Sequence, residues 1–128
     1  MKRVAWYAGP AVVWMAFIFF LSSQHKVALA ATFTIDFVIK KTLHMIEYAL
    51  LYFLLFRMFY GLQKKSLQRS TIHSFLISIA FALSDEFHQT LVPTREGKVR
   101  DVLIDTAGIV IMYAYMRWFR LGILKRFL

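Results

Sequence analysis

Apolar residues fall into four long runs, residues 4–21, 42–60, 72–92 and 102–119, with polar residues gathered between them and at their ends. A helix needs about 20 mainly apolar residues to cross a hydrocarbon layer, and each run meets that length. The first, second and fourth lack the amphipathic stripe that a helix of a soluble bundle presents. The third differs, because its second half carries Asp85, Glu86, His88 and Gln89. The pattern predicts an all-α polytopic membrane protein in which residues 1–128 form one domain, a bundle of four transmembrane helices. Pro10 is expected to interrupt the start of the first run, and Pro93 to end regular helix after the third. Residues 24–41 form a long connection that mixes apolar residues with Thr32, Thr34 and Asp36. That suits a short interfacial or re-entrant helix between the first two spans.

Composition agrees with this class. Of the 128 residues 59% are hydrophobic and 17% aromatic, too apolar for a surface that faces water. Lys2, Arg3, the first run and Ala28-Leu29-Ala30 resemble a secretory signal. Yet residues 4–21 exceed the usual signal core of about 7–15 residues, and the triplet lies well past the run, so retention as the first span is expected. There is no cysteine, hence no disulfide, thiolate nucleophile or cysteine metal ligand.

A formal net charge of +9 on a soluble protein would raise nucleic acid as a partner. Here the basic residues sit mostly at the ends of apolar runs, as topology signals do, and no nucleic-acid partner is assigned. Alternating connections place six of the 16 Lys and Arg residues on one side, Lys26, Lys40, Lys41, Arg95, Lys98 and Arg100, and ten on the other. The larger group marks the cytoplasm, which predicts a multi-pass cell-membrane protein with both termini cytoplasmic.

This orientation gathers the unusual polar residues near the outer boundary. Carboxylates at membrane depth are costly and normally face a protein interior or a wet cavity, so they mark a working site. His44, Glu47 and Tyr48 share one helix face, and Glu47 lies about 9 Å along the axis from Lys41. Asp85, His88 and Gln89 repeat that spacing, while Glu86 points elsewhere, toward the basic loop. Asp101 and Asp105 are one turn apart, with Gly108 continuing their face and allowing close helix approach. Glu47 and Asp85 are the candidate general acid or base, and His44 the candidate proton shuttle. Lys41, Tyr48, Glu86, Gln89, Arg95, Asp101 and Asp105 are the candidate substrate-binding groups. Arg95 suits phosphate, which a guanidinium grips through two parallel hydrogen bonds.

Plainer roles stand beside these. Glu47 can lock helices by pairing with Lys41 or Arg95, Asp101 can serve as a helix cap, and the loop charges can simply be solvated. His44-x-x-Glu47 with Asp85-x-x-His88 is only a loose ligand set, and no metal or other cofactor is assigned. No glycine-rich phosphate loop or nucleophile elbow occurs.

At these residues the chain resembles the VanZ-like family of small bacterial membrane proteins. The matching residues are Ser22-Ser23-Gln24; Lys41-x-x-His44-x-x-Glu47-Tyr48; Asp85-Glu86-x-x-Gln89 with Val92-Pro93-x-Arg95; and Asp101-x-x-x-Asp105-x-x-Gly108. The chain departs from the family at Thr94, where glycine is frequent, at Asp105, where asparagine is, and at Met112, where a small residue is. The resemblance implies a role at the cell envelope, the namesake being associated with low-level teicoplanin resistance.

Two readings of function follow. In one, the outer polar pocket binds or modifies an anionic envelope lipid or a lipid-linked cell-wall precursor. In the other, the chain is a non-enzymatic scaffold or partner subunit of envelope synthesis whose polar residues only fix helix packing. A transporter or channel is less favoured, since the inner halves of the spans offer no polar path. N-terminal sequencing of the mature membrane protein is expected to read from the first residues; a start at Ala31 would show that the first run is cleaved off.

Overall fold

The structure, a computed structural model, describes residues 1–63 and 66–119. Lys64, Lys65, Arg120, Lys125 and Arg126, counted above among the cytoplasmic charges, lie outside the described residues. Among the described residues there are four α-helices and no strand: α1 (Lys2–Ser23), α2 (Phe33–Leu62), α3 (Leu67–Thr90) and α4 (Val99–Trp118). By length and composition α1 and α2 are apolar enough to cross a membrane. The other two carry more polar load, α3 through Ser70, Ser74, Ser78, Ser84 and its acidic end, α4 through Arg100, Asp101 and Asp105.

Helix α2 is the centre of the bundle and packs against the other three, most extensively against α4. Its buried residues Tyr48, Leu51, Tyr52, Leu55 and Phe56 recur at the spacing of one helix face. They meet Ile18 of α1, Ala82 of α3, and Ile109 and Met116 of α4. Tyr52, Phe75 and Tyr113 join α2, α3 and α4 through aromatic contacts with centroids 4.9 and 5.1 Å apart. The outward faces of all four helices are apolar, with Phe20, Ile46, Leu76, Leu83, Leu103 and Ile111 each largely exposed.

Helix α3 hides its polarity. Ser70, Ser74 and Ser78 are fully buried one turn apart, and Ala82 continues the stripe. Ser70 and Ser74 return their hydroxyls to the carbonyls of Ser66 and Ser70, both at 2.6 Å. Small residues in such a row let helix backbones approach closely. At the other interface, a Cβ on Gly108 of α4 would collide with the Met45 backbone carbonyl of α2.

Two expectations are corrected. No separate interfacial or re-entrant helix follows the first span: residues 33–41 are the first turns of α2 itself, a continuous helix of 30 residues. No glycine or proline breaks that stretch, Asp36 sits in its first turn where the helix dipole favours an anion, and Lys40 pairs with Asp36 at 2.7 Å. Pro10 does not interrupt α1, which runs through it. Proline has no N–H to give the carbonyl four residues back. The Trp6 carbonyl instead accepts from Arg57 Nη1 at 3.1 Å. The Arg57 guanidinium also lies over the Trp6 and Tyr7 rings.

The Gly108→Ala variant is expected to lose about 1–3 kcal/mol by forcing α2 and α4 apart. At Gly9 an added Cβ meets open space, so Gly9→Ala should stay within about 0.5 kcal/mol of the parent. Thermal unfolding of the two variants in the same detergent checks the contrast.

Candidate functional site

The C-terminal ends of α1 and α3 meet the N-terminal parts of α2 and α4 at one end of the bundle. Asp85 is the central acid there and is 3% exposed. Its Oδ1 accepts from the Ser22 hydroxyl of α1 at 2.5 Å, and its Oδ2 from the Tyr48 hydroxyl of α2 at 3.1 Å. Gln89 Nε2, one turn further along α3, reaches both the Ser22 hydroxyl at 3.1 Å and Asp85 Oδ2 at 3.3 Å. Three helices thus converge on one carboxylate, which accepts three hydrogen bonds from protein donors.

A second group links α2 to α4. Lys41 Nζ pairs with Asp101 Oδ2 at 2.6 Å, one turn before the depth of Asp105. His44 Nδ1 lies 3.6 Å from Asp105 Oδ1 and 3.8 Å from Glu47 Oε2. These separations exceed hydrogen-bond length, and both His44 Nδ1 and Asp105 Oδ1 are buried without a partner. The imidazole therefore sits between two carboxylates in a geometry that a small closure would convert into a bonded acid–imidazole pair. Glu47 is held in place through its backbone, whose carbonyl accepts from Trp14 Nε1 at 3.0 Å.

The loop between α3 and α4 is fixed from both sides. Arg95 donates from Nε to the Gln24 carbonyl at 2.8 Å and from Nη2 to the Leu21 carbonyl at 3.2 Å. It thereby gives the Gln24 carbonyl, just past α1, a donor and adds one to the Leu21 carbonyl, which already accepts the Gln24 N–H. Glu86 accepts from the Lys98 backbone N–H with Oε1, tying the start of α4 to α3. Thr94 holds the left-handed backbone with φ 70°, the conformation for which glycine is the natural residue. Its hydroxyl accepts from the Lys26 N–H at 3.1 Å, a bond glycine would not make. In the loop, the Lys98 ammonium beside Glu96 holds that exposed carboxyl below its ordinary range.

Above these groups lies a cavity of about 660 Å³. Ser22, His44, Glu47, Gln89 and Arg95 contribute to its wall, as do Lys41 and Asp101. The wall carries six Lys and Arg against four Asp and Glu. Asp36, Glu96 and Asp101 are taken up by Lys40, Lys98 and Lys41. Among the described residues, Lys26 and Arg95 form no ion pair with a carboxylate.

The structure divides the candidates into two sets. His44, Glu47, Lys41, Gln89, Arg95 and Asp101 line the cavity. Asp85, Tyr48 and Asp105 are buried behind its wall, and Glu86 faces the loop. Glu47 pairs with neither Lys41 nor Arg95, whose partners are Asp101 and the α1 carbonyls. Asp101 acts as an ion-pair partner across α2 and α4. Ser22, Trp14 and Asp36 were not among the candidates. Ser22 carries a signal in the Ser-Ser-Gln end of the first run, and Asp36 one in its place inside an apolar stretch, where its Oδ1 accepts from the Leu29 and Ala30 N–H groups. His88 stacks on Phe19 of α1 at 4.2 Å, away from Asp85's donors. Among the described residues no group of three or more His, Asp or Glu side chains is placed to hold a metal ion.

A family model described as VanZ/LLP1 matches residues 8–120, which covers the whole site and all four helices except the first six residues of α1. The chain belongs to the VanZ/LLP1 family. Comparison with curated proteins and with solved structures gives no match.

Asp85→Ala strips the acceptor from donors on three helices and is expected to cost about 3 kcal/mol or more, since each buried donor left unsatisfied costs about 1–3 kcal/mol. Glu47→Gln removes no side-chain hydrogen bond and should change stability by less than about 1 kcal/mol. Unfolding midpoints and folded yields of the purified variants test this separation of frame from cavity.

Proposed function

We propose that this VanZ/LLP1-family protein crosses the cell membrane four times, with both termini in the cytoplasm, and binds the anionic head group of an envelope lipid in the cavity at the outer boundary. The observation that carries this reading is the cavity itself, a partly enclosed space at one end of the bundle with an excess of cations; the proposed topology puts it at a depth where ionisable side chains are otherwise costly. The apolar exteriors of all four helices support the four spans, including α3 and α4, which bury Ser70, Ser74, Ser78, Asp85 and Asp105. Lys26 and Arg95 supply positive charge not held in an ion pair with a carboxylate among the described residues, which suits phosphate. His44, on the wall with carboxylates behind and beside it, is positioned to exchange a proton with a bound head group. Binding or modification of a lipid-linked cell-wall precursor in this way would lower sensitivity to a teicoplanin-type glycopeptide.

The scaffold reading draws on a different observation, the saturation of Asp85 by protein donors, which makes that residue a structural tie rather than a reacting group. The two readings part at His44 and Glu47, which line the cavity and whose side chains form no hydrogen bond with the described residues. In a glycopeptide-sensitive host, expression of the parent chain is expected to raise teicoplanin tolerance. His44→Ala and Glu47→Gln, at parental membrane abundance, should lose most of that gain. Full tolerance in both variants would favour the scaffold and defeat the cavity reading.

A further inference from the structure

The cavity wall is polar on one side and apolar on the other. Val27, Leu29, Phe33 and Leu43 line it while remaining 66%, 53%, 81% and 45% exposed, so they form its outer rim. Phe33 stands on a part of α2 that overshoots the bundle. Trp14 of α1 is level with Glu47, so α1, which ends nine residues later at Ser23, stops near Val38; Asp101 of α4 is level with Lys41, so α4 starts near Ile39, and residues 33–37 extend past both helix ends. At 1.5 Å per residue this overhang is about 7 Å long. It is amphipathic in a specific sense: Phe33 and Ile35 are exposed, whereas Asp36 turns inward to the loop and to Lys40. Exposed apolar groups of this size, continuous with a cationic cavity, mark a surface that contacts something with both characters.

We infer that the overhang, with Leu29 of the loop before it and Leu43 below it, forms a lip that lays a ligand's hydrocarbon chain against Leu29, Phe33 and Leu43 while its phosphate reaches the cations of the cavity, so that the ligand is a phosphate-headed amphiphile recognised partly through its chain. This rests on the head-group reading above and adds a second element of recognition to it. Size narrows the class. A cavity of about 660 Å³ is in the range of about 300–1,000 Å³ that encloses a drug-sized molecule. It accommodates a phosphate and the first carbons of a chain, and leaves a head the size of a glycopeptide outside. Phe37 belongs to the polar side of the rim, because the Lys41 ammonium and the Arg100 guanidinium lie over its ring at 5.6 and 4.9 Å.

Methyl phosphate and hexyl phosphate share the head and differ in the chain, and both are water-soluble. Their binding to the full chain in nanodiscs of zwitterionic phosphatidylcholine, corrected for empty nanodiscs, separates the two elements. Each methylene buried on the lip should tighten binding roughly fourfold, so hexyl phosphate is expected to bind at least tenfold more tightly than methyl phosphate. The Leu29→Ser/Phe33→Ser variant should lose that gain and keep the parental affinity for methyl phosphate; both positions are exposed, and Phe33→Ala alone serves if the double variant folds poorly. Equal affinities in the parent chain would overturn the lip and leave the head-group site standing, and a gain that survives in the lip variants would overturn it too. Binding of neither probe would sink the head-group reading itself, and the lip with it.

Discussion

Asp85 needs donors because it is buried, and the donors it finds come from three helices. Ser22 closes the end of α1 onto it, Tyr48 brings α2, and Gln89 completes the shell from α3. A carboxylate removed from water holds its charge only with such compensation. The tie fixes how deep α1 and α3 end relative to α2, and that depth sets where the cavity lies. Arg95 and Glu86 act on the next layer outward, one on the exposed carbonyls of α1 and the other on the start of α4. Charged residues at this end of the bundle are therefore of two kinds: those consumed in holding helix ends together, and those left facing the space so created.

The division explains what was legible in the chain. The four helices were readable because apolar runs of membrane length are hard to mistake, and the acidic clusters were conspicuous because they interrupt those runs. Residues 33–41 were misread because Lys40 and Lys41 look like a boundary, whereas Asp36 and Lys40 are an i, i+4 pair that stabilises helix. Arg95 invited a phosphate role from its position beside acids; that its donors reach carbonyls more than 70 positions earlier depends on packing that no local pattern encodes. Ser22 could be suspected only from its place in a matching motif. The buried face of α3 was missed because serines inside an apolar run read as weak interruptions, although their spacing of four places them in one row.

Thr94 shows how the family pattern and the local physics meet. Its backbone takes the left-handed region, which a β-branched side chain enters only at a cost of order 1–3 kcal/mol. Glycine, frequent there in similar chains, removes the cost. This chain keeps the threonine hydroxyl, which holds the Lys26 amide and so fastens the loop after α1 to the loop after α3. The same two loops border the cavity, and their junction defines part of its mouth.

On the proposed four-span topology, the serine row on α3 bears on how the protein enters a bilayer. Presented alone to lipid, α3 would bring hydroxyls and a carboxylate into hydrocarbon, where polar groups lose their partners. In the bundle that row is fully buried, and the Tyr48 hydroxyl of α2 reaches Asp85 at its end. Insertion is thus easiest when α3 arrives folded against a preceding helix, as the second arm of a hairpin, so that the synthesis order of the chain is also the order in which its polar groups find shelter.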